Sequence, residues 1–387
     1  MKILYWVPLF WPEGGGIEVM AMKSLPFLQE HGHQFLVVAS HGTMQQPDIM
    51  DFNGIPVYRF PFWTALSKND IGLLRTIREE VIRLKETFEP DLMHIHFSGY
   101  TIYFQLVTSH AYPVPMLVTL HTSVAECKTG LDTMLGRLLR AASWVSADSR
   151  ATLNDACDVI PEIAGRSSVI YNCLDAPRID PAPLPSDDQR IVCLGRLVRE
   201  KGFDLVISAF ASIAERFPRL SIVIIGDGPE RRLLEYQAAT LGLTRSVTFT
   251  GAIPNERVGE LLNTATFVVV PSRYREPFPL VALEAAQMAR PVIATNMGGL
   301  PESVVDGETG FLVALEDSTA LVDAMVFLLE HPKTATKMGL AGRSRVLAHF
   351  TMANFVYAYG TLYQRLGMTK HTTPSVYEDD ASFDTRG

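Results

Sequence analysis

Cysteine is scarce: Cys127, Cys157, Cys173 and Cys193 are the only four in 387 residues, and they lie scattered, without the paired spacing of a zinc site or a disulfide framework. Such usage fits a reducing compartment, and the cytoplasm is the expected location. No apolar run approaches the ~20 residues that a membrane-spanning helix needs. There is no internal repeat and no low-complexity tract. Positive charge is also short, with 34 Lys and Arg against 42 Asp and Glu for a net charge of −8. That balance argues against a broad nucleic-acid surface, so any phosphate site has to be built locally. The opening MKILYWVPLFW has one positive charge before a short apolar run and no small-residue cleavage site behind it, which reads as a buried first strand rather than a secretory leader.

What is present is the composition of an ordinary globular protein, 47% hydrophobic and 20% charged, long enough for two domains of comparable size. Short β-rich runs alternate with amphipathic segments: KILYWVP, GIEVMAMKSLPFLQEHG, QFLVVAS, DIGLLRTIREEVIRLKETF, DLMHIHF, MLVTLHT. The Pro-rich APRIDPAPLPSDD, 176–188, has linker composition, and the alternation then restarts with RIVCLGRL and runs to PVIATN. The expectation is α/β architecture: residues 1–175 and 189–349 as two doubly wound Rossmann-like domains, with an interdomain cleft at the carboxyl ends of their strands as the default site. Helical periodicity returns near 350–368, and the polar 369–387 is expected to be a disordered tail.

Candidate residues fall just after predicted strands. Gly15 and Gly16, with Gly14, precede a helix; glycine lets a ligand approach the backbone, and free helix N–H groups favour an anion, although a tight turn is the commoner reason for such a run. Arg196 and Lys201, in GRLVREKG, bring a guanidinium fork and a point charge to a helix start, as a diphosphate leaving group requires. Gly226–Pro229 reads first as a strand-to-helix turn. Glu276 and Glu284 are separated by seven residues, with a helix beginning between them, so one carboxylate can reach a sugar ring and the other a ribose diol. A glycoside hydrolase also uses two carboxylates. His94, His96 and His121, with Asp91 nearby, lie at strand ends; no carboxylate or cysteine accompanies them at ligand spacing, and no metal is expected. His121 is as compatible with a hydrogen bond to a sugar hydroxyl as with a structural role. The segment 70–88 puts Arg75, Arg78, Arg83 and Lys85 on one helix; diluted by Glu79, Glu80, Glu86 and Glu89, it reads first as a solvated helix, with weak peripheral contact to an anionic membrane as the alternative.

The ordered series GGxE at Gly15–Glu18, GRL…KG at 195–202, GDGP, Glu276 with Glu284, GGLPE and DGETGFLV resembles family 4 glycosyltransferases, from the first strand to about residue 366. The resemblance implies a retaining enzyme of GT-B fold that moves a sugar from a nucleotide-diphosphate sugar to a glycan, lipid-linked or small-molecule hydroxyl, with no cofactor and no nucleic-acid partner. It implies that the final helix crosses back onto the first domain. It also implies that Gly15 and Gly16 meet the donor phosphate, Arg196 and Lys201 the diphosphate, Glu276 and His121 the transferred sugar, and Glu284 the ribose, with the base near Ile253. One departure stands out: Pro279 occupies the place of the usual glycine and carries no N–H, so contacts from Phe278, Leu280 and Val281 are expected to be partly rearranged around a normally formed helix. A nucleotide-sugar epimerase or hydrolase, and a non-catalytic sugar-nucleotide binding protein, are the alternatives.

Overall fold

The computed structural model describes residues 1–13, 15–96, 101–124 and 133–368; Gly14, Cys127 and the tail 369–387 lie outside the described residues. Two sheets organise the chain. The first contains β1 (Lys2–Trp6), β2 (Gln34–Ser40), β3 (Ile49–Phe52), β4 (Ile55–Phe60), β5 (Leu92–His96), β6 (Met116–Leu120), β7 (Trp144–Ala147) and β8 (Ser167–Val169), in the spatial order 3-4-2-1-5-6-7-8. The second contains β9 (Arg190–Leu194), β10 (Ser221–Ile225), β11 (Val247–Gly251), β12 (Phe267–Val270), β13 (Val292–Thr295) and β14 (Gly310–Val313), in the order 11-10-9-12-13-14. All neighbouring pairs are parallel except β3 with β4. Helices cover both faces, which is why β5 and β6 are buried at every residue and read as continuous apolar runs rather than alternating ones.

The β3–β4 hairpin and β7 are additions to the expected alternation. The hairpin has a local cause: Asn53 and Gly54 connect the paired residues Phe52 and Ile55, and both take positive φ, 52° and 81°, as a two-residue turn of this type requires.

In each sheet the chain reverses its direction of winding once, between β1 and β5 in the first and between β9 and β12 in the second. Open parallel sheets bind ligands at such points, outside the carboxyl ends of the strands. The loops in question are those after β1, leading to Gly15 and Gly16, and those after β9 and β12, which carry Lys201 and Glu276 respectively.

The segment 176–188 is held to the second sheet's domain: Asn263 Oδ1 accepts from the Ala182 N–H at 2.8 Å, and the buried Arg290 donates to the Ala182 carbonyl. The last helix, Met352–Met368, lies on the first domain, where Phe355, Tyr359, Tyr363 and Leu366 share a core with Ile3, Tyr5, Leu25 and Leu28. Tyr363 donates or accepts at His94 Nδ1, 2.7 Å away, which fixes the helix to β5.

One expectation is corrected here. Lys85 does not belong to an exposed basic face of the helix Ile71–Phe88: it is fully buried, and its Nζ donates to Gln105 Oε1, Thr108 O and Thr108 Oγ1 at 2.8–3.1 Å. Those three acceptors replace water, while burial pulls its pKa down to about 7. Arg75, Arg78 and Arg83 remain exposed, and Arg75 pairs with Glu79 on the same helix. Among the described residues no helix is long and apolar enough to cross a membrane.

Candidate active site

The loop after β9 and the loop after β12 are bolted together. Gly202 has φ 68°, and a Cβ there would lie 2.1 Å from the Pro271 carbonyl oxygen, so only glycine allows this approach. Arg273 donates its backbone N–H to the Glu200 carbonyl at 2.7 Å and pairs through its guanidinium with Asp204 and Glu316. The consequence is to hold Lys201 against Glu276: Nζ lies 2.5 Å from Oε1.

Glu276 is almost fully buried, and its carboxylate is surrounded by donors. Oε1 accepts from Lys201 Nζ and from Ser272 Oγ at 2.6 Å, and Oε2 accepts from Tyr274 Oη at 2.7 Å. Backbone geometry locks the same group. The Gly299 N–H donates to the Glu276 carbonyl at 2.7 Å, and Cβ atoms at Gly298 or Gly299 would strike the Glu276 and Pro277 carbonyls at 2.4 and 2.0 Å. The glycine pair of NMGGLPE is therefore a packing requirement of the Glu276 loop.

Glu284 lies on the helix Leu280–Gln287, one turn in and half-buried. Burial raises its carboxyl pKa, opposed by the charge of Lys23 on the first helix, Gly16–Glu30. Lys23 pairs with Asp175, whose carbonyl accepts from Gln287, so the first domain's leading helix lies beside the helix that carries Glu284. Pro279 occupies the N-cap of this helix and makes no side-chain cap. Phe278 is buried in a cluster with Tyr171 and Phe350, so its ring is a packing group. Leu280 and Val281 open the helix, where N–H groups lack partners within the helix itself.

Beyond the carboxyl end of β1, Gly15 is the N-cap and Gly16 the first residue of its helix. Glu18 Oε2 accepts from the Gly15 N–H at 2.7 Å, and a Cβ built at Gly16 would meet nothing within 4 Å. Among the described residues nothing demands glycine at position 16. Arg196 is exposed, and Ile253 is half-buried against the second domain's core beyond the end of β11.

His121 is held by neighbours in the first domain. It follows β6, whose Thr119 is in register with His96 of β5, so the two rings meet: His121 Nε2 is 2.7 Å from His96 Nδ1, and His121 Nδ1 is 3.5 Å from Asp148 Oδ2. Both ring nitrogens thus have neighbours within the protein. Burial drives the pKa of His94 and of His96 well below the ordinary imidazole value, so both are neutral. His94 is shared between Tyr363 and Thr119, and Asp91 Oδ2 accepts from the Lys2 N–H at the opposite end of the strand. Among the described residues no group of three or more His, Cys, Asp or Glu could hold a metal ion.

Several residues that sequence reasoning passed over complete the geometry. Ser272 and Tyr274 stand four and two positions before Glu276, a spacing that an extended segment would have suggested. Arg275, next to Glu276, crosses to the first domain and pairs with Asp155 at 2.8 Å. Glu302, of GGLPE, accepts from the Arg150 and Ala151 N–H groups at 2.8 and 2.9 Å, capping the helix Arg150–Val159 from the other domain. The Asp175 side chain pairs with Lys23, and its carbonyl accepts from Gln287. These bonds bring the two domains together beside the Glu276 loop.

Comparison with known proteins gives a consistent result. Residues 14–178 match a model described as Glycosyltransferase Family 4, and residues 178–345 match Glycosyl transferases group 1. The chain is 30% identical over 319 residues to a glycogen synthase of Mycobacterium tuberculosis, spanning 78% of this chain and 75% of that protein. It is 31% identical over 306 residues to a D-inositol 3-phosphate glycosyltransferase of Frankia alni, spanning 68% and 73%. A sucrose-phosphate synthase from Thermosynechococcus elongatus superposes with a TM-score of 0.77 at 23% identity, over 95% of this chain and 99% of that one. Anabaena HepE, solved with UDP and glucose, superposes with a TM-score of 0.75 at 21% identity, over 94% and 100%.

Proposed function

From the premise that the chain belongs to the family 4, group 1 glycosyl transferases and has their GT-B fold, we propose that it transfers a hexose from a nucleotide-diphosphate sugar to an acceptor hydroxyl with retention of anomeric configuration. The observation that carries this reading is the Lys201–Glu276 pair, a cation and a buried carboxylate on the two loops that flank the β9/β12 switch point. Both charges are needed. Negative charge grows on the diphosphate as the glycosidic bond breaks, while the ring acquires positive character.

In this reading Lys201 and Arg196 bind the diphosphate, assisted by backbone N–H groups at Gly15 and Gly16 and at Leu280 and Val281. Glu276 orients the ring hydroxyls and opposes the positive charge on the sugar. Glu284 accepts the ribose hydroxyls, and the loop at Ile253 borders the base. Pro279 removes one N–H from this set, so the donor is held by fewer backbone bonds there. His121, occupied by His96 and Asp148, is assigned to the cleft wall. The two cations do the work of charge neutralisation, and turnover should persist in a chelator. The nucleotide sugar is a co-substrate, and no cofactor is invoked.

HepE, whose sheets superpose on these, was solved with UDP and glucose, which makes uridine nucleotides the first donors to try. A thermal-shift panel of nucleoside diphosphates and nucleotide sugars tests the reading: selective stabilisation by one base is expected, since a ligand at 100 times its Kd adds about 2.7 kcal/mol. Stabilisation by none would remove the proposal.

A further inference from the structure

The three residues immediately before Glu276 each have a separate attachment. Arg273 is tied to Asp204, Glu316 and the Glu200 carbonyl. Arg275 crosses to Asp155 of the first domain. Tyr274, between them, turns the other way: its Oη donates to Glu276 Oε2 at 2.7 Å, its carbonyl accepts from the Glu276 N–H at 2.8 Å, and its ring centre lies 5.3 Å from Lys201 Nζ. Tyr274 thus touches both members of the charge pair, and its own surface is 38% exposed.

The carboxylate's donors are unequal in what they can keep doing. Oε1 has two, Lys201 and Ser272; Oε2 has Tyr274. If Lys201 turns its ammonium to a diphosphate, as the proposed function requires, Ser272 holds Oε1 and Tyr274 holds Oε2. A carboxylate bonded at both oxygens cannot rotate about its Cγ–Cδ axis without breaking one of the bonds. Loss of Tyr274 Oη would leave it, among the described residues, pivoting on Ser272.

We propose that Tyr274 is a positioning residue for glycosyl transfer, fixing the plane of the Glu276 carboxylate through Oε2 once Lys201 is engaged by the donor's diphosphate. The inference rests on the transferase reading and deepens it. It assigns the phenol no contact with the sugar and no proton transfer; the hydroxyl donates one hydrogen bond throughout. Its ring face gives the Lys201 ammonium a favourable flank in either position, so the ring and the hydroxyl act separately.

The test is steady-state kinetics of Tyr274→Phe, with Tyr274→Ala and the distant, exposed Tyr236→Phe beside it. Misplacing a reacting group by about 1 Å costs on the order of 100-fold, so kcat of Tyr274→Phe should fall roughly 10- to 100-fold, with KM for the nucleotide sugar within about twofold. Its affinity for the nucleoside diphosphate alone should match that of the unmodified chain, while its thermal midpoint should fall by a few degrees, because the buried Oε2 loses a donor. Tyr274→Ala should add a loss of nucleoside-diphosphate affinity, because Lys201 loses its aromatic flank, and Tyr236→Phe should be unchanged throughout. An unchanged kcat in Tyr274→Phe overturns the proposal while leaving the transferase reading intact. A loss confined to KM, or accompanied by weaker binding of the nucleoside diphosphate alone, overturns it in favour of a binding role. No turnover by the unmodified chain with any nucleotide sugar removes the transferase reading and this inference with it.

Discussion

The Lys201–Glu276 pair predicts an asymmetry between its two single variants. Nζ and Oε1 are 2.5 Å apart, and the side chains are 21% and 5% exposed respectively. Removing the cation in Lys201→Met leaves a carboxylate in a place almost without water. Breaking a buried pair from one side costs about 3–5 kcal/mol; Ser272 and Tyr274 continue to donate, so a smaller cost, about 2–3 kcal/mol, is expected. Removing the anion in Glu276→Gln leaves an ammonium on a flexible stem that already reaches solvent and can turn to it, at a cost of about 1 kcal/mol. In a domain of this size each kcal/mol moves the thermal midpoint by about 2–4 °C, so Lys201→Met should lower the transition of the second domain by roughly 5–10 °C and Glu276→Gln by roughly 2–4 °C. The double variant should be more stable than Lys201→Met, because it no longer buries an unpaired charge, yet it should remain inactive. Differential scanning calorimetry resolves this even if the domains melt separately. A Glu276→Gln variant that loses as much stability as Lys201→Met would refute the picture of a buried carboxylate dependent on a half-solvated lysine.

Glu284→Gln should raise the thermal midpoint at neutral pH, because burial raises the carboxyl pKa of Glu284 and ionising it opposes folding. The gain should vanish below about pH 4, where the carboxyl is protonated both folded and unfolded, and nucleotide affinity should fall as the ribose loses its acceptor; a variant less stable at pH 7 would contradict this. Lys85→Met gives a second pH test. With a folded pKa of about 7 and an unfolded one of about 10.4, Lys85 costs most below pH 7 and progressively less as pH rises toward 10. The variant's stability relative to the unmodified chain should therefore be greatest near pH 6 and decline across that window, as thermal midpoints between pH 6 and 10 would show; a difference independent of pH would contradict the shift.

Much of the fold was legible because parallel strands buried on both faces, such as those ending at Trp6 and Leu194, must read as unbroken apolar runs, and glycine or a turn must follow each. The β3–β4 hairpin was equally legible in Asn53-Gly54 but falls outside a strand–helix alternation and was missed for that reason. Charged residues were harder. Lys85 looks like a member of a basic face because nothing in its own helix announces Gln105 and Thr108, which reach it from another segment. His121 looks free in VTLHTS until the parallel register of β5 and β6 brings His96 beside it. The interdomain bonds are the extreme case, since Arg275 meets Asp155 across 120 positions and Glu302 meets Arg150 across 152. Motif spacing locates a loop; which groups satisfy one another across the cleft is decided by how two separately folded sheets face each other.

The central claim is retained transfer from a nucleotide sugar. It is tested most directly by incubating the chain, in the presence of a chelator, with the nucleotide sugar selected by thermal shift and a sugar acceptor, and following the anomeric proton couplings by NMR from the first turnovers. The account predicts one equivalent of nucleoside diphosphate released per glycoside formed, with the product anomer the same as the donor's. A product of inverted configuration, release of free sugar with no glycoside, or activity restored only by a divalent metal would contradict it.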